Sequence, residues 1–341
     1  MKAIGYLSNL PIDHVESLID IELDQPTAQG HDLLIKIDAI AVNPVDTKIR
    51  QNVPSSTTSH KVIGWDAVGE VIAVGDKVSQ FKAGDKVFYA GDLNRQGSNA
   101  EFQLVDERLV GLKPKSLSNA EAAALPLTAI TAWELLFDRL GIQMQTPDIK
   151  AQSKEIILVV GAAGGVGSIL IQIAKAISGA TIIATASRES SQTWVKELGA
   201  DYVIDHTQDL ETQIEALNIG SVTHVASLNG TQEYFDAYIE LLAPFGKIAL
   251  IDDPASLDAV KMKRKSLSLH WEFMYTHSMF QTADMNKQHL LLNRVSDLVD
   301  QGYIHTTVNQ NLGAINANNL KAAHQAIESG QSIGKIVLEG F

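Results

Sequence analysis

No cysteine occurs among the 341 residues. Disulfides, thiolate metal sites and cysteine nucleophiles are therefore excluded. Positive charge is scarce: 27 Lys and Arg stand against 40 Asp and Glu, a formal net charge of −13. Such a balance repels phosphate backbones and argues against general nucleic-acid binding. The opening segment MKAIGYLSNLPIDHVESLID lacks the basic start and apolar run of a secretory signal. A cytoplasmic location is expected. Long apolar runs are also scarce, and one stretch stands out in hydropathy. Ile156 to Ala174 carries no charge, but Gly161, Gly164, Gly165 and Gly167 interrupt its centre. It reads as a buried strand, a glycine turn and a packed helix, so no membrane association is expected. What is present is ordinary for a globular chain of about two domains: 45% hydrophobic and 20% charged residues.

The first ~125 residues read as short strands and turns. DLLIKIDAIAV (Asp32–Val42) alternates partially, VGEVIAVG (Val68–Gly75) is β-branched, and Gly-Asp pairs recur at 75–76, 84–85 and 91–92. Such spacing predicts a partly open β-barrel or sandwich. The character changes near Ser118, a candidate helix cap before a helical run broken by Pro126. Strands then alternate with helices: EIILVV, TIIATA, DYVID, THVASL and GKIALID, with SLSLHWEFM as a candidate sixth strand. Alternation of this kind implies a parallel sheet with right-handed crossovers. The closing IGKIVLEGF reads as a strand that returns to the N-terminal β region.

The strongest chemical signal is ILVVGAAGGVGSILIQIAKA, in which a buried strand runs through Gly161–Gly167 into a helix. Glycines let the backbone turn sharply and approach a pyrophosphate closely, and the helix N-terminus offers free N–H groups to the anion. Ala162 replaces the first glycine of a strict G-x-G-x-x-G, while strand-before and helix-after context supports dinucleotide binding. The candidate contacts are Gly161, Ala163, Gly164, Gly165, Val166 and Gly167. At the end of the second strand, Ser187 and Arg188 stand where an NAD-binding chain places an acid. A hydroxyl and a guanidinium suit a 2′-phosphate, so NADPH is expected over NADH. The competing reading of Arg188 is a solvated surface charge.

These segments resemble, in order, the medium-chain dehydrogenase/reductase superfamily, and specifically its zinc-independent quinone oxidoreductase branch. The resemblance rests on AVNPVDTKIR (41–50), GWDAVGEVIAVG (64–75), FKAGDKVF (81–88), ALPLTAITAWELL (124–136), GAAGGVGS (161–168), LGADYVIDH (198–206) and AHQAIESGQSIGKIVLEGF (323–341). It implies an α/β chain: a GroES-like β-rich catalytic domain from 1–126 and 276–341, and a Rossmann doubly wound parallel-sheet domain from 127–275. It also implies that Asn43 lies near the nicotinamide, with Asp46 in the same loop. Lys48 stands where the branch often has Tyr and is a candidate to stabilise or protonate an enolate. Its competing reading is a solvated loop lysine. Thr128 and His206 are further cofactor contacts that the resemblance implies; His206 also reads as a surface histidine, and Thr128 as a helix-start hydroxyl. Leu228 and Ile251 follow the fourth and fifth strands, beyond whose carboxyl ends ligands bind in such sheets, and are candidate backbone contacts to the cofactor.

At the family's histidine ligand position stands Trp65, an indole that cannot bind zinc as imidazole does. No metal is expected. Trp65, Trp271, Phe273 and Met274 are candidates to wall an apolar pocket, although the cluster HWEFMYTHSMF equally suits core or dimer packing. The expectation is a cytoplasmic, two-domain homodimer that passes hydride from NADPH to a small-molecule electrophile, a quinone or an α,β-unsaturated carbonyl. The rivals are an alcohol or aldehyde oxidoreductase of the same fold and a non-catalytic NADPH-binding protein.

Overall fold

The computed structural model describes residues 1–55, 59–147 and 151–341. The chain divides into two compact units, one of Met1–Ile130 with Tyr275–Phe341 and one of Thr131–Met274.

The first unit is organised by the strand Asp32–Val42, which pairs antiparallel with Ala67–Val74, Phe102–Asp106 and Lys335–Glu339. With neighbours along both edges, eight of its apolar side chains are buried, which explains why its alternation is only partial. Register shifts between Leu34 and Ile35, and between Ile37 and Ala39, mark irregularities that bend the strand. The seven-stranded sheet continues through Lys86–Tyr89 and Val110–Leu112 on one side and ends at Val308–Asn311 on the other. A separate three-stranded sheet joins Ile19–Glu22, Lys2–Tyr6 and Lys61–Val62. The C-terminal strand thus returns to the N-terminal sheet as its sequence predicts, and pairs Ile336 with Val42.

Ser118 caps the helix Asn119–Ala123 in a reciprocal box with Glu121. Helix resumes at Pro126–Trp133, with proline in the first turn where its missing N–H costs nothing. The following turn, Glu134–Arg139, is wound as a π-helix. The run Asn119–Arg139 is long and apolar enough to cross a membrane, but most of it is buried in the protein, as in a core helix.

The second unit holds six parallel strands in the spatial order Tyr202–Ile204, Thr181–Thr185, Ile156–Val160, Val222–Ser227, Leu242–Leu250 and Ser268–Trp271. The candidate sixth strand is therefore real and occupies an edge. Leu158, Val160, Ile183, Val225 and Ile248 pack with Phe235, Tyr238 and Ile239 in one core cluster. Chain order reverses between Ile156–Val160 and its neighbour Val222–Ser227. In open sheets of this kind, ligands bind in the crevice beyond the carboxyl ends of the strands at such a reversal. The basic run KMKRKS forms a short 3₁₀ stretch, Ala259–Lys265, and Lys265 Nζ donates to the carbonyls of Ile239 and Glu240 near the end of the helix Thr231–Leu241.

Candidate functional site

Two groups of residues carry chemistry, one in each unit. In the second unit, every residue of Ile156–Val160 is buried, and the chain leaves the strand through Gly161 at φ +78°. That left-handed conformation favours glycine. Gly164 is the N-cap of the helix Gly165–Ile177 and provides no side-chain cap. The amides of Gly165, Val166 and Gly167 occupy the first turn, where no intrahelical carbonyl reaches them. A Cβ on Gly167 would stand 2.4 Å from the carbonyl oxygen of Ala162, so the helix start is pressed against the turn and only glycine fits. Ala163, Gly164, Gly165 and Val166 remain partly accessible, and Ala162 is buried.

Around that turn, Gly161 N–H donates to Thr185 Oγ1 at 3.3 Å, tying the bend to the next strand. Ser187 is half-buried and Arg188 exposed just beyond that strand, at the start of the helix Glu189–Glu197. His206 is half-buried, and its Nδ1 is buried with no hydrogen-bond partner among the described residues. The amides of Leu228 and Ile251 are already taken: Leu228 N–H donates to Val160 O at 3.0 Å and Ile251 N–H to Ser227 O at 3.3 Å. Both residues sit at strand carboxyl ends, half-buried. Beside them, Ser227 Oγ meets Thr231 Oγ1 at 2.7 Å and Tyr238 Oη at 2.9 Å, while Thr231 N–H donates to Asp252 at 2.8 Å.

The first unit contains a buried polar cluster. Asn43, 1% exposed, ends the strand Asp32–Val42 and caps the helix Pro44–Asn52. Its backbone N–H donates to Asp46 Oδ2 at 2.6 Å, and its side-chain Nδ2 donates to Asp66 Oδ2 at 2.8 Å. Lys335 Nζ, itself 3% exposed, donates to Val42 O at 3.0 Å, to Asn43 Oδ1 at 2.5 Å and to Asp66 Oδ2 at 3.0 Å. Leu127 N–H closes the cluster on Asp66 Oδ1 at 2.8 Å. Burial pushes Asp66 upward from the ordinary carboxyl range, against the pull of Lys335 and its amide donors. Burial likewise pushes Asp46 up to about 7, and its Oδ1 is buried with no hydrogen-bond partner among the described residues.

The remaining sequence candidates are scattered around these groups. Lys48 is exposed on the helix that Asn43 caps. Thr128 is buried and its hydroxyl donates to the carbonyls of Ala124 and Leu125, the bonding of a helix hydroxyl. Trp65 is buried, donates from Nε1 to Asp92 O at 3.2 Å and packs edge-on against Tyr275 at 6.4 Å. Trp271 and Phe273 are 54% and 47% exposed, whereas Met274 is buried. Between the two exposed aromatics, Glu272 is buried beside Arg139, whose Nε approaches its Oε2 at 2.8 Å. Burial and the neighbouring Glu272 drive Glu134 far above the ordinary carboxyl range.

Sequence reading missed Lys335, Asp66, Glu134 and Glu272. Each is a lone charge inside an apolar run: Ile-Gly-Lys-Ile-Val, Gly-Trp-Asp-Ala-Val, Ala-Trp-Glu-Leu-Leu and His-Trp-Glu-Phe-Met. A charge at a position that periodicity assigns to the interior is the signal that was there to find.

Comparison with known proteins locates two family matches. Residues 29–116 match the alcohol dehydrogenase GroES-like domain, and residues 165–287 match the zinc-binding dehydrogenase family. A zinc-type alcohol dehydrogenase-like protein of Staphylococcus epidermidis is 39% identical over 339 residues, covering 99% of each chain. A 2-methylene-furan-3-one reductase of Solanum lycopersicum is 40% identical over 219 residues, 61% of this chain and 53% of that protein. A solved structure described as a zinc-dependent alcohol dehydrogenase protein from Rhizobium etli superposes with TM-score 0.95 at 51% identity, covering 100% of this chain and 98% of that one. A mycobacterial protein solved with NADPH superposes with TM-score 0.83 at 27% identity, covering 99% of this chain and 100% of that one.

Several of those names speak of zinc, and the donor set here does not fit it. Zinc sites are built from Cys, His and carboxylate ligands converging on one point. The chain has no Cys, and Trp65 stands where the resemblance puts the family's histidine ligand. The oxygens of Asp66, the next residue, are engaged by Leu127, Asn43 and the Lys335 ammonium. Among the described residues, no three His, Cys, Asp or Glu side chains converge as a metal-binding group.

Proposed function

The chain belongs to the medium-chain dehydrogenase/reductase superfamily of oxidoreductases, and on that premise we propose that it is a zinc-independent, NADPH-dependent reductase of quinones or α,β-unsaturated carbonyls. The observation that carries the reading is the glycine bend at 161–167, which opens onto an uncapped helix N-terminus at the reversal point of a parallel sheet. Bound NADPH supplies the hydride. The amides of Gly165, Val166 and Gly167 hold the diphosphate, and Ser187 with Arg188 receives the 2′-phosphate. The mycobacterial relative's NADPH supports that choice.

Without a Lewis acid, reduction of a polarised double bond is easier than alcohol oxidation, because the developing charge moves onto a carbonyl oxygen that needs only a donor. Asn43 is the candidate donor, and Asp46, its carboxyl pushed up to about 7 by burial, is the candidate acid. Lys48 is the exposed alternative on the same helix. The similarity to the tomato 2-methylene-furan-3-one reductase supports the enone class. Trp271 and Phe273 lie on and beside an open sheet edge. They support the reading of a homodimer, which size-exclusion chromatography with light scattering checks.

The test is an NADPH-oxidation screen across quinones, enones, enals and nitroalkenes, run with and without chelator. The reading expects chelator-insensitive turnover on at least one class. The Rhizobium etli likeness favours a second reading, an alcohol dehydrogenase. Stoichiometric zinc with robust ethanol oxidation would establish that reading in place of ours.

A further inference from the structure

The buried cluster of the first unit has a hydrogen-bond arithmetic that singles out one atom. An ammonium has three donors, and Lys335 spends all three on Val42 O, Asn43 Oδ1 and Asp66 Oδ2. Asp66 accepts from Leu127 N–H on one oxygen and from Asn43 and Lys335 on the other. The Asn43 amide is therefore read in one orientation only. Turned over, it would set its NH₂ against the ammonium and its carbonyl oxygen against the carboxylate. In the orientation observed, one Nδ2 hydrogen goes to Asp66, and the second has no acceptor among the described residues.

We propose that Lys335 is a positioning residue which locks the Asn43 amide and polarises it, so that its second N–H is presented as a donor to the substrate oxygen on which charge develops. A cation on the carbonyl oxygen of an amide draws electron density from its nitrogen and makes the remaining N–H a stronger donor. The carboxylate of Asp66 fixes the other hydrogen and balances the buried charge. The residue comes from the far end of the chain and reaches Asn43 because Lys335–Glu339 pairs with Asp32–Val42. This inference rests on the reductase reading, in which Asn43 serves the reacting oxygen.

The test compares Asn43→Ala, the paired variant Lys335→Met/Asp66→Asn and the triple variant. Pairing the substitutions removes both buried charges together, so that no lone carboxylate is left to unfold the protein. The paired variant is expected to melt as a folded protein and to bind NADPH within about twofold of the parent by fluorescence titration, because the glycine bend is untouched. Its kcat on the electrophile should fall at least about 10-fold, and Asn43→Ala should cost about 100-fold. The triple variant should be no slower than Asn43→Ala, because Lys335 acts through Asn43. Full kcat in the folded paired variant, or losses that multiply in the triple variant, would overturn the proposal.

A second readout separates it from the reductase reading. In asparagine-labelled protein, the Asn43 side-chain amide protons should be widely split and slowly exchanging in the parent, and should collapse to ordinary values in the paired variant. If the parent turns over no electrophile while the split is present, the reductase reading fails and the lock stands. If the Asn43 signal is ordinary in the parent, the lock fails whatever the turnover.

Discussion

Glu134 and Glu272 set up a measurable dependence of stability on pH. Glu134 lies in the π-wound turn after Trp133 and Glu272 just beyond the edge strand Ser268–Trp271. Their side chains are 2% and 0% exposed. Burial and the charge of Glu272 raise Glu134; burial also raises Glu272, to about 7, against the pull of its hydrogen bond with Glu134 and of Arg139 at 2.8 Å. Glu134 therefore keeps a proton that the unfolded chain has lost. For a carboxyl whose folded pKa lies above its unfolded value of about 4.5, the linkage has one sign. The folded state binds the extra proton, so stability is fully present below the unfolded value and is lost as pH rises through the folded one. One such proton gives a slope of at most about 1.4 kcal/mol per pH unit across neutral and mildly alkaline pH. Glu134→Gln supplies a donor to Glu272 that cannot titrate. Chemical unfolding of parent and variant from about pH 5 to 9 is the assay. The variant should gain on the parent steadily with pH, by at least about 1 kcal/mol over the range. Parallel stability curves would refute the assignment of the proton.

Three further outcomes are expected. Gly167→Val places side-chain atoms against the Ala162 backbone, where a Cβ already stands 2.4 Å from the carbonyl oxygen. The helix start must shift, costing about 1–3 kcal/mol in stability and at least about 10-fold in NADPH affinity, read by thermal melting and fluorescence titration. Arg188→Ala should lower the preference for NADPH over NADH by about 10- to 100-fold, the worth of a hydrogen bond to a charged group, and unchanged selectivity would return Arg188 to the solvent. Lys48→Ala should cut turnover on an enone; equal turnover retires its catalytic role and leaves Asn43 and Asp46.

Much of the architecture was legible because it rests on local pattern. The buried strand EIILVV, the glycine bend and the amphipathic helix after it are contiguous, so their structure follows from residues that touch in sequence. The edge strand Ser268–Trp271 and the return of the C-terminal strand were readable for the same reason, as short β-branched or apolar runs bounded by turns. The polar cluster was not. Lys335 meets Asn43 292 positions away in sequence, and no periodicity brings a lysine and an asparagine together over that span. Asp66 and Glu134 gave no cue beyond being lone charges in apolar runs, which does not say what they meet. Thr128 shows the opposite case: the sequence shows a hydroxyl at a helix start, and the structure gives that hydroxyl to its own helix carbonyls.

The most direct test is a crystal structure of the protein with NADPH, with anomalous scattering recorded at the zinc edge. The account predicts a diphosphate on the amides of 165–167, a 2′-phosphate within reach of Ser187 and Arg188, and no metal signal at Trp65 and Asp66. An empty glycine bend, or an ion coordinated beside the nicotinamide, would contradict it.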